Sequence, residues 1–330
     1  MERLNESKQV IIGRSSLSSE FLEGLHSSVI YGINIYTDSD EMNDCCRLLE
    51  IHTQEIPNIH NSGINFFYLT KKQLPFINSH GQSLQQLSRN YPGDIYMSPD
   101  MSNFYFYGIN KFGTLISMIY GIHAINQIKN GILGIHSALV YDQLNNQSHL
   151  LVGKSRIGKS SIGQLLEEHD PRFIMLSDDW NCVDISRNVV IPFSVVFSPQ
   201  NPSPNYVTAF QSFGKSFYWK SNIGNFKDIP LGKIIELYDE DRFSQANEFW
   251  RQCMSHVPLL SQPISMATFD KPHDYTEIDL DRFHRIQYQF MVTYNQLTHT
   301  HQTRRVVNRK GIVPIEVAFQ EVLNCFNEGK

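Results

Sequence analysis

Residues 153–160 read Gly-Lys-Ser-Arg-Ile-Gly-Lys-Ser, a complete G-x-x-x-x-G-K-S string. Nothing else in the chain restricts its fold so tightly, because this loop works only between an incoming strand and an outgoing helix. Both flanks fit. His149-Leu150-Leu151-Val152 is an apolar run suited to a buried strand, and Ser161-Ile162-Gly163-Gln164-Leu165-Leu166-Glu167-Glu168 has helical spacing. Strand, tight turn and helix N-terminus together aim backbone N–H groups and a helix dipole at one anion. The loop therefore predicts a bound nucleoside triphosphate, held by Gly153, Lys154, Ser155, Arg156, Ile157, Gly158, Lys159, Ser160 and Ser161. In such a loop Lys159 lies along the β- and γ-phosphates, and the Ser160 hydroxyl ligates Mg²⁺.

A chain of 330 residues is too long for one small core and predicts two domains, or one with a large extension. Its 41% hydrophobic and 18% charged content is that of a folded protein rather than a disordered one. The net charge of −5 leaves no electrostatic footprint for nucleic acid, and the densest basic run, Arg304 to Lys310, reads as a solvated strand and turn. Five cysteines, odd in number and without a C-x-x-C, form neither a disulfide framework nor a zinc site. The polar start lacks an apolar signal core, and no apolar stretch approaches the roughly 18 residues of a membrane span. The expectation is a soluble, cytoplasmic protein with no membrane partner; its oligomeric state is left open.

The first 110 residues are β-rich with alternating aromatics. Candidate strands are Val29 to Tyr36, Ile64 to Leu69, Asp94 to Met97 and Phe104 to Tyr107, the last two joined as a hairpin by the turn 98–103. A helix from about Leu115 to Lys129 follows, ended by Asn130-Gly131, with His123 packed on its apolar face. From Ile132 the pattern changes to strand, turn and helix. Ile132 to Tyr141 reads as one strand, Asn145-Asn146 as a turn into the loop strand, and Phe173 to Leu176, Val189 to Phe197 and Ile234 to Tyr238 as further strands. Residues 198–205 are too rich in Pro and Asn for a regular element. Two helices are expected at about 280–296 and 314–327. The division is a β-rich domain over 1–130, suited to recognising a substrate, and a phosphate-loop domain over 131–330.

Leu176-Ser177-Asp178-Asp179-Trp180 closes an apolar strand downstream of the loop. A carboxylate there can hold Mg²⁺ beside the loop serine, and a second is free to accept a proton from an attacking hydroxyl. His136 lies on the strand before the loop strand. His299-Thr300-His301 puts two imidazoles on one strand face without a third ligand of matching spacing, and reads as surface. Lys215 and Lys220, after the Pro-rich segment, fit a lid or a solvated loop equally.

His136-Ser137-Ala138-Leu139-Val140, the loop, Ser177-Asp178-Asp179 and Pro230 to Leu237, in this order, resemble the catalytic domain of HPr kinase/phosphorylase and its relatives. The resemblance covers roughly 131–240 and is strongest over 149–180. It implies an α/β fold, a P-loop domain shared with phosphoenolpyruvate carboxykinases, preceded here by the smaller β-rich domain. It also implies ATP, Mg²⁺ and transfer of the γ-phosphoryl group to serine hydroxyls. Carried over, His136 approaches the phosphoryl group or a metal, and Lys159 neutralises the transferring phosphate. Ser160 and Asp179 hold Mg²⁺, and Asp178 is the base. Two departures stand out. Arg156 replaces the glycine usual in G-x-S-G-x-G-K-S, and the glutamate–arginine–glycine signature of true HPr kinases is absent after Asp179. The chain is thus more similar to the divergent kinases of free serine or of natural-product precursor peptides. The expected acceptor is a peptide, protein or small hydroxyl compound. A nucleotide-binding regulatory module without transfer is the alternative from another class.

Overall fold

A computed structural model describes residues 11–12, 15–16, 22–53, 63–70, 85–91, 93–97, 102–108, 112–153, 157–192, 206–212, 215–220, 228–238, 285, 288–289, 292–297, 303–307 and 314–327. Lys154, Ser155, Arg156, the segment 198–205 and His299-Thr300-His301 lie outside them. The fold is mixed α/β with two principal sheets, and the chain divides into two compact units, Met1–His123 with Pro263–Arg285 and Ala124–Gln262 with Ile286–Lys330. Among the described residues no helix is long and apolar enough to cross a membrane.

The first unit opens with the paired two-residue strands β1 (Ile11–Ile12) and β2 (Ser15–Ser16). It continues through β3 (His26–Ile30), β4 (Ile33–Thr37), α1 (Asp40–Thr53), β5 (Ile64–Leu69), β6 (Gln85–Tyr91), β7 (Gly93–Met97) and β8 (Asn103–Gly108) into helix α2 (Phe112–Gln127). Its sheet runs β3-β4-β5-β8-β7-β6, with β4, β5 and β8 parallel at the centre. All six residues of β5 are buried, as expected of a strand covered on both faces. Two ladders cross the three parallel strands. Asn34 donates to Asn65 and Asn65 to Asn103, each at 3.0 Å, while Tyr36, Phe67 and Tyr105 stack at 4.9 and 4.8 Å. The expected single strand from Val29 to Tyr36 is instead a hairpin. Tyr31 and Gly32 both take positive φ (52° and 73°), the two-residue turn whose twist matches its strands.

The second unit holds β9 (Ile132–Ile135), β10 (Ser137–Asp142), β11 (Gln147–Val152), α3 (Lys159–His169), β12 (Phe173–Ser177), β13 (Asn181–Asp184), β14 (Val189–Pro192), β15 (Tyr206–Ser212), β16 (Lys215–Lys220), β17 (Ile229–Tyr238), β18 (Thr303–Val307) and α4 (Ile315–Asn327). The main sheet follows β12-β10-β11-β17-β14-β13-β9, with β18 also on β17. β10 is antiparallel to β11 and β12, whereas β17 is parallel to β11 and β18. The carboxyl ends of β11, β12, β17 and β18 therefore share one sheet edge with the amino end of β10. Ligands of α/β sheets bind at such an edge.

The expected strand from Ile132 to Tyr141 breaks at His136. The chain leaves β9, paired with β13, and enters β10, paired with β11 and β12. One face of the sheet is closed by α3 and α4. Ile162 and Leu166 of α3 and Ala318, Val322 and Phe326 of α4 pack on Ala138, Val140, Leu151, Phe173, Met175, Ile235, Leu237 and Val306. Lys215 and Lys220 lie on β16, which pairs with β15 as a separate hairpin rather than an irregular loop. The predicted C-terminal helix is α4, and the described residues from 285 to 297 are helical.

Candidate active site

Two chain crossings meet at one corner. The first is β9 into β10 through His136, and the second is β12 into β13 through Asp178-Asp179-Trp180. Ile135 faces Asn181 and Leu139 faces Ser177, so the two chain segments keep one register as they pass from one end of the main sheet to the other. Asn181 braces the corner, its Nδ2 donating to the Ser137 carbonyl at 2.9 Å and to the Ser137 hydroxyl at 3.0 Å. Ser177 Oγ donates to the Trp180 carbonyl, and the Trp180 amide donates to that of Asp178 at 2.8 Å. Asp179 sits in the left-handed region (φ 65°), where an aspartate is tolerated at a cost. The corner is a rigid mount for two adjacent carboxylates.

The phosphate loop reaches the same place from the other side. β11 ends at Val152, and Gly153 takes a φ of 151°. A Cβ on Gly153 would lie 2.5 Å from the Leu237 carbonyl, so the loop starts hard against β17. Gly158 (φ 103°) precedes α3, and its carbonyl accepts the first helical hydrogen bond from the Ile162 amide at 2.9 Å. Lys159 is only 4% exposed, and its Nζ donates to the Gly153 carbonyl at 3.0 Å. Its ammonium is thus held inside the loop. The Ser160 hydroxyl donates to Asp178 Oδ1 at 2.8 Å. Asp178 Oδ1 also accepts the Asp179 amide at 3.0 Å, so both of these hydrogen bonds fall on one carboxylate oxygen.

Asp178 is 6% exposed. Burial, and secondarily the charge of Asp179, push its carboxyl up to about 7, against the Ser160 hydroxyl, the Lys159 ammonium and the Asp179 amide, which favour the ionised form. Asp179 differs. Its side chain is 50% exposed, and its Oδ1 lies 3.6 Å from Nε2 of the buried His136. Two neighbouring carboxylates thus have separate environments, one buried with a hydroxyl and one open with an imidazole. Such separation splits acid–base from ionic roles.

The structure brings together His136, Gly153, Lys159, Ser160, Asp178 and Asp179; Ile157 is buried in the core behind the loop and Ser161 is exposed on α3. Among the described residues no three His, Cys, Asp or Glu side chains could hold a metal ion by themselves. Mg²⁺ does not need that, since one or two protein oxygens and substrate phosphates complete its shell. The Ser160 hydroxyl and the Asp179 carboxylate are hard oxygen donors of that kind.

Motif reading passes over Glu236. It is 4% exposed, paired in register with Val152 at the end of the loop strand. The available signal was an acidic residue closing the apolar run Ile234-Ile235. It also passes over Trp180 and Asn181, whose work depends on the corner. Neither a protein-family model nor a curated protein matches the chain.

Proposed function

We propose that the chain is an ATP- and Mg²⁺-dependent phosphotransferase of the HPr kinase-like P-loop type. It moves the γ-phosphoryl group to a serine-type hydroxyl on a peptide or protein, such as a natural-product precursor peptide, and works in the cytoplasm, where ATP is supplied. The observation that carries this reading is the 2.8 Å hydrogen bond from Ser160 to Asp178. It joins the first turn of the loop helix to the carboxylate pair, two motifs that are 18 residues apart in sequence.

The chemistry is positioning and charge neutralisation. Backbone N–H groups of the loop and the α3 N-terminus hold the phosphates, and Lys159 offsets the charge on the transferring group. Mg²⁺, when bound, neutralises phosphate charge, with Ser160 and Asp179 as its protein donors. As the acceptor oxygen bonds to the γ-phosphorus, its proton passes to Asp178 Oδ2. The bond from the γ-phosphorus to the bridging oxygen breaks, and ADP leaves with that electron pair. Burial raises the basicity of this carboxyl, which suits it to accept a proton. His136 faces Asp179 and orients it.

ATP labelled at the γ-position, incubated with the protein, Mg²⁺, free serine and a library of serine-containing peptides, tests the reading. Mass spectrometry should find the label on a peptide hydroxyl. Label on free serine alone would replace the acceptor class, and nucleotide binding with no labelled acceptor would favour the regulatory module.

A further inference from the structure

At the opposite end of β11 from the phosphate loop, a buried histidine occupies a β-bulge. Ser148 pairs with Leu231 and Leu150 with Ile234, so His149 alone opposes both Gly232 and Lys233. Bulges are uncommon in parallel pairs, and this one displaces the Lys233 amide from the ladder. That amide donates instead to His149 Nδ1 at 2.9 Å. With Nδ1 an acceptor, the neutral ring carries its proton on Nε2, which lies 3.8 Å from Asp142 Oδ2. A side chain at position 232 would collide with the ring, since a Cβ there would be 2.7 Å from His149 Cε1.

The same cluster fastens the last turn of α4. Phe326 stacks on the His149 ring at 4.5 Å, Lys233 Nζ donates to the Cys325 carbonyl at 2.5 Å, and Arg172 donates to Asn327 Oδ1 at 3.1 Å. Among the described residues, the charged groups that act on the imidazole are Asp142 at the end of β10, Arg172 before β12 and Lys233 on β17, while α4 presents the phenyl ring of Phe326. The Asp142 carboxylate is already engaged by the Leu144 and Asn145 amides, by Asn145 Nδ2 and by Arg172.

We propose that His149 is an acid-sensitive latch, whose neutral ring locks the β17 bulge and the end of α4 and whose protonation releases both. A second proton has only Nδ1 to occupy, where it meets the Lys233 N–H, so donor faces donor. Either the bulge opens or the ring turns away from Phe326. Burial holds the ring below the ordinary imidazole range, with Lys233 and Arg172 adding to that and Asp142 opposing it, so release belongs to pH below 6.5. The consequence reaches the loop, because Leu237, four residues beyond Lys233 on the same strand, forms the wall against Gly153. The latch does not depend on the kinase reading and stands or falls apart from it.

Hydrogen exchange on the full chain, corrected for intrinsic rates, tests it at about pH 7.5 and about pH 5, on either side of the ordinary histidine value. His149→Asn is the comparison, because its amide oxygen keeps an acceptor for the Lys233 amide but takes no proton. Peptides over 229–238 and 315–327 should lose at least about tenfold protection at the lower pH in the wild type and keep it in His149→Asn. Parallel loss in both, or full retention in the wild type, overturns the proposal. Imidazole nitrogen NMR of the wild type at neutral pH is independent of how the variant folds. It should show the Nε2-H form, and a proton on Nδ1 overturns the proposal as well.

Discussion

Gly153 carries two constraints at once: a φ of 151°, and a neighbouring carbonyl where its side chain would go. Gly153→Ala should therefore cost about 1–3 kcal/mol, measured by urea unfolding, because neither backbone can move without disturbing the β11–β17 pairing. Lys159 is a different case. Its ammonium serves the loop by charge, so Lys159→Met should keep most of the fold but weaken Mg-ATP binding at least about tenfold by calorimetry. Both residues, with Ser160 and the two aspartates, were legible in the sequence because the loop is contiguous and the carboxylates close a short apolar strand. Glu236 and His149 were not. Glu236 is set at the end of the loop strand by its register with Val152, and His149 is fixed by an amide 84 residues away, and no local pattern encodes either.

Elements were legible where periodicity was undisturbed. β5, β8, α3 and α4 fall close to the stretches that their apolar spacing marks. The hairpin at Tyr31-Gly32 and the break at His136 were hidden, because apolar residues run straight through both and a continuous run looks like one strand. Helix α1 shows the reverse problem. Its buried stripe of Met42, Cys45, Cys46 and Leu49 has helical spacing, and Ser39 Oγ caps the Met42 amide, yet two of the four are cysteines and the stripe is interleaved with charged and polar residues. The corner where β9 passes into β10 and β12 into β13 makes a prediction of its own. A Cβ on Gly134 would lie 2.3 Å from the Trp180 indole, so Gly134→Ala must push the ring that anchors the 178–180 turn. Transfer should fall at least about tenfold while Mg-ATP affinity stays within about threefold, as expected when catalytic geometry is lost and ground-state binding kept. Steady-state kinetics with calorimetry separates the two.

For the molecule as a whole, acid is the informative stress. His123, buried in a T-shaped pair with Tyr31, is held down to about 3 by burial. The unfolded chain takes up that proton near 6.5 and the folded chain does not. Stability is therefore complete above that value and declines below it, by about 1.4 kcal/mol per pH unit from this group. His123→Phe keeps a ring and cannot be charged, so its urea unfolding energy should fall less steeply between about pH 6 and about pH 4. An unchanged slope would mean that His123 is protonated without unfolding. Asp142, held well below the usual carboxylate range by His149, Asn145 and Arg172 despite its burial, adds a further loss only at lower pH.

The mixed α/β class follows from the change of pattern near Ile132, but the second segment of the first unit, Pro263–Arg285, is marked by no such change, and the loop and carboxylates come together only at the corner. Its direct test compares wild type with Asp178→Asn. Transfer from γ-labelled Mg-ATP to free serine and serine-containing peptides is followed, and nucleotide binding is measured on the same preparations. Asp178→Asn should bind Mg-ATP within about threefold of wild type and lose transfer at least about a hundredfold. Transfer at the wild-type rate would contradict the assignment of Asp178 as base, and a wild-type protein that binds no Mg-ATP would contradict the account of the loop.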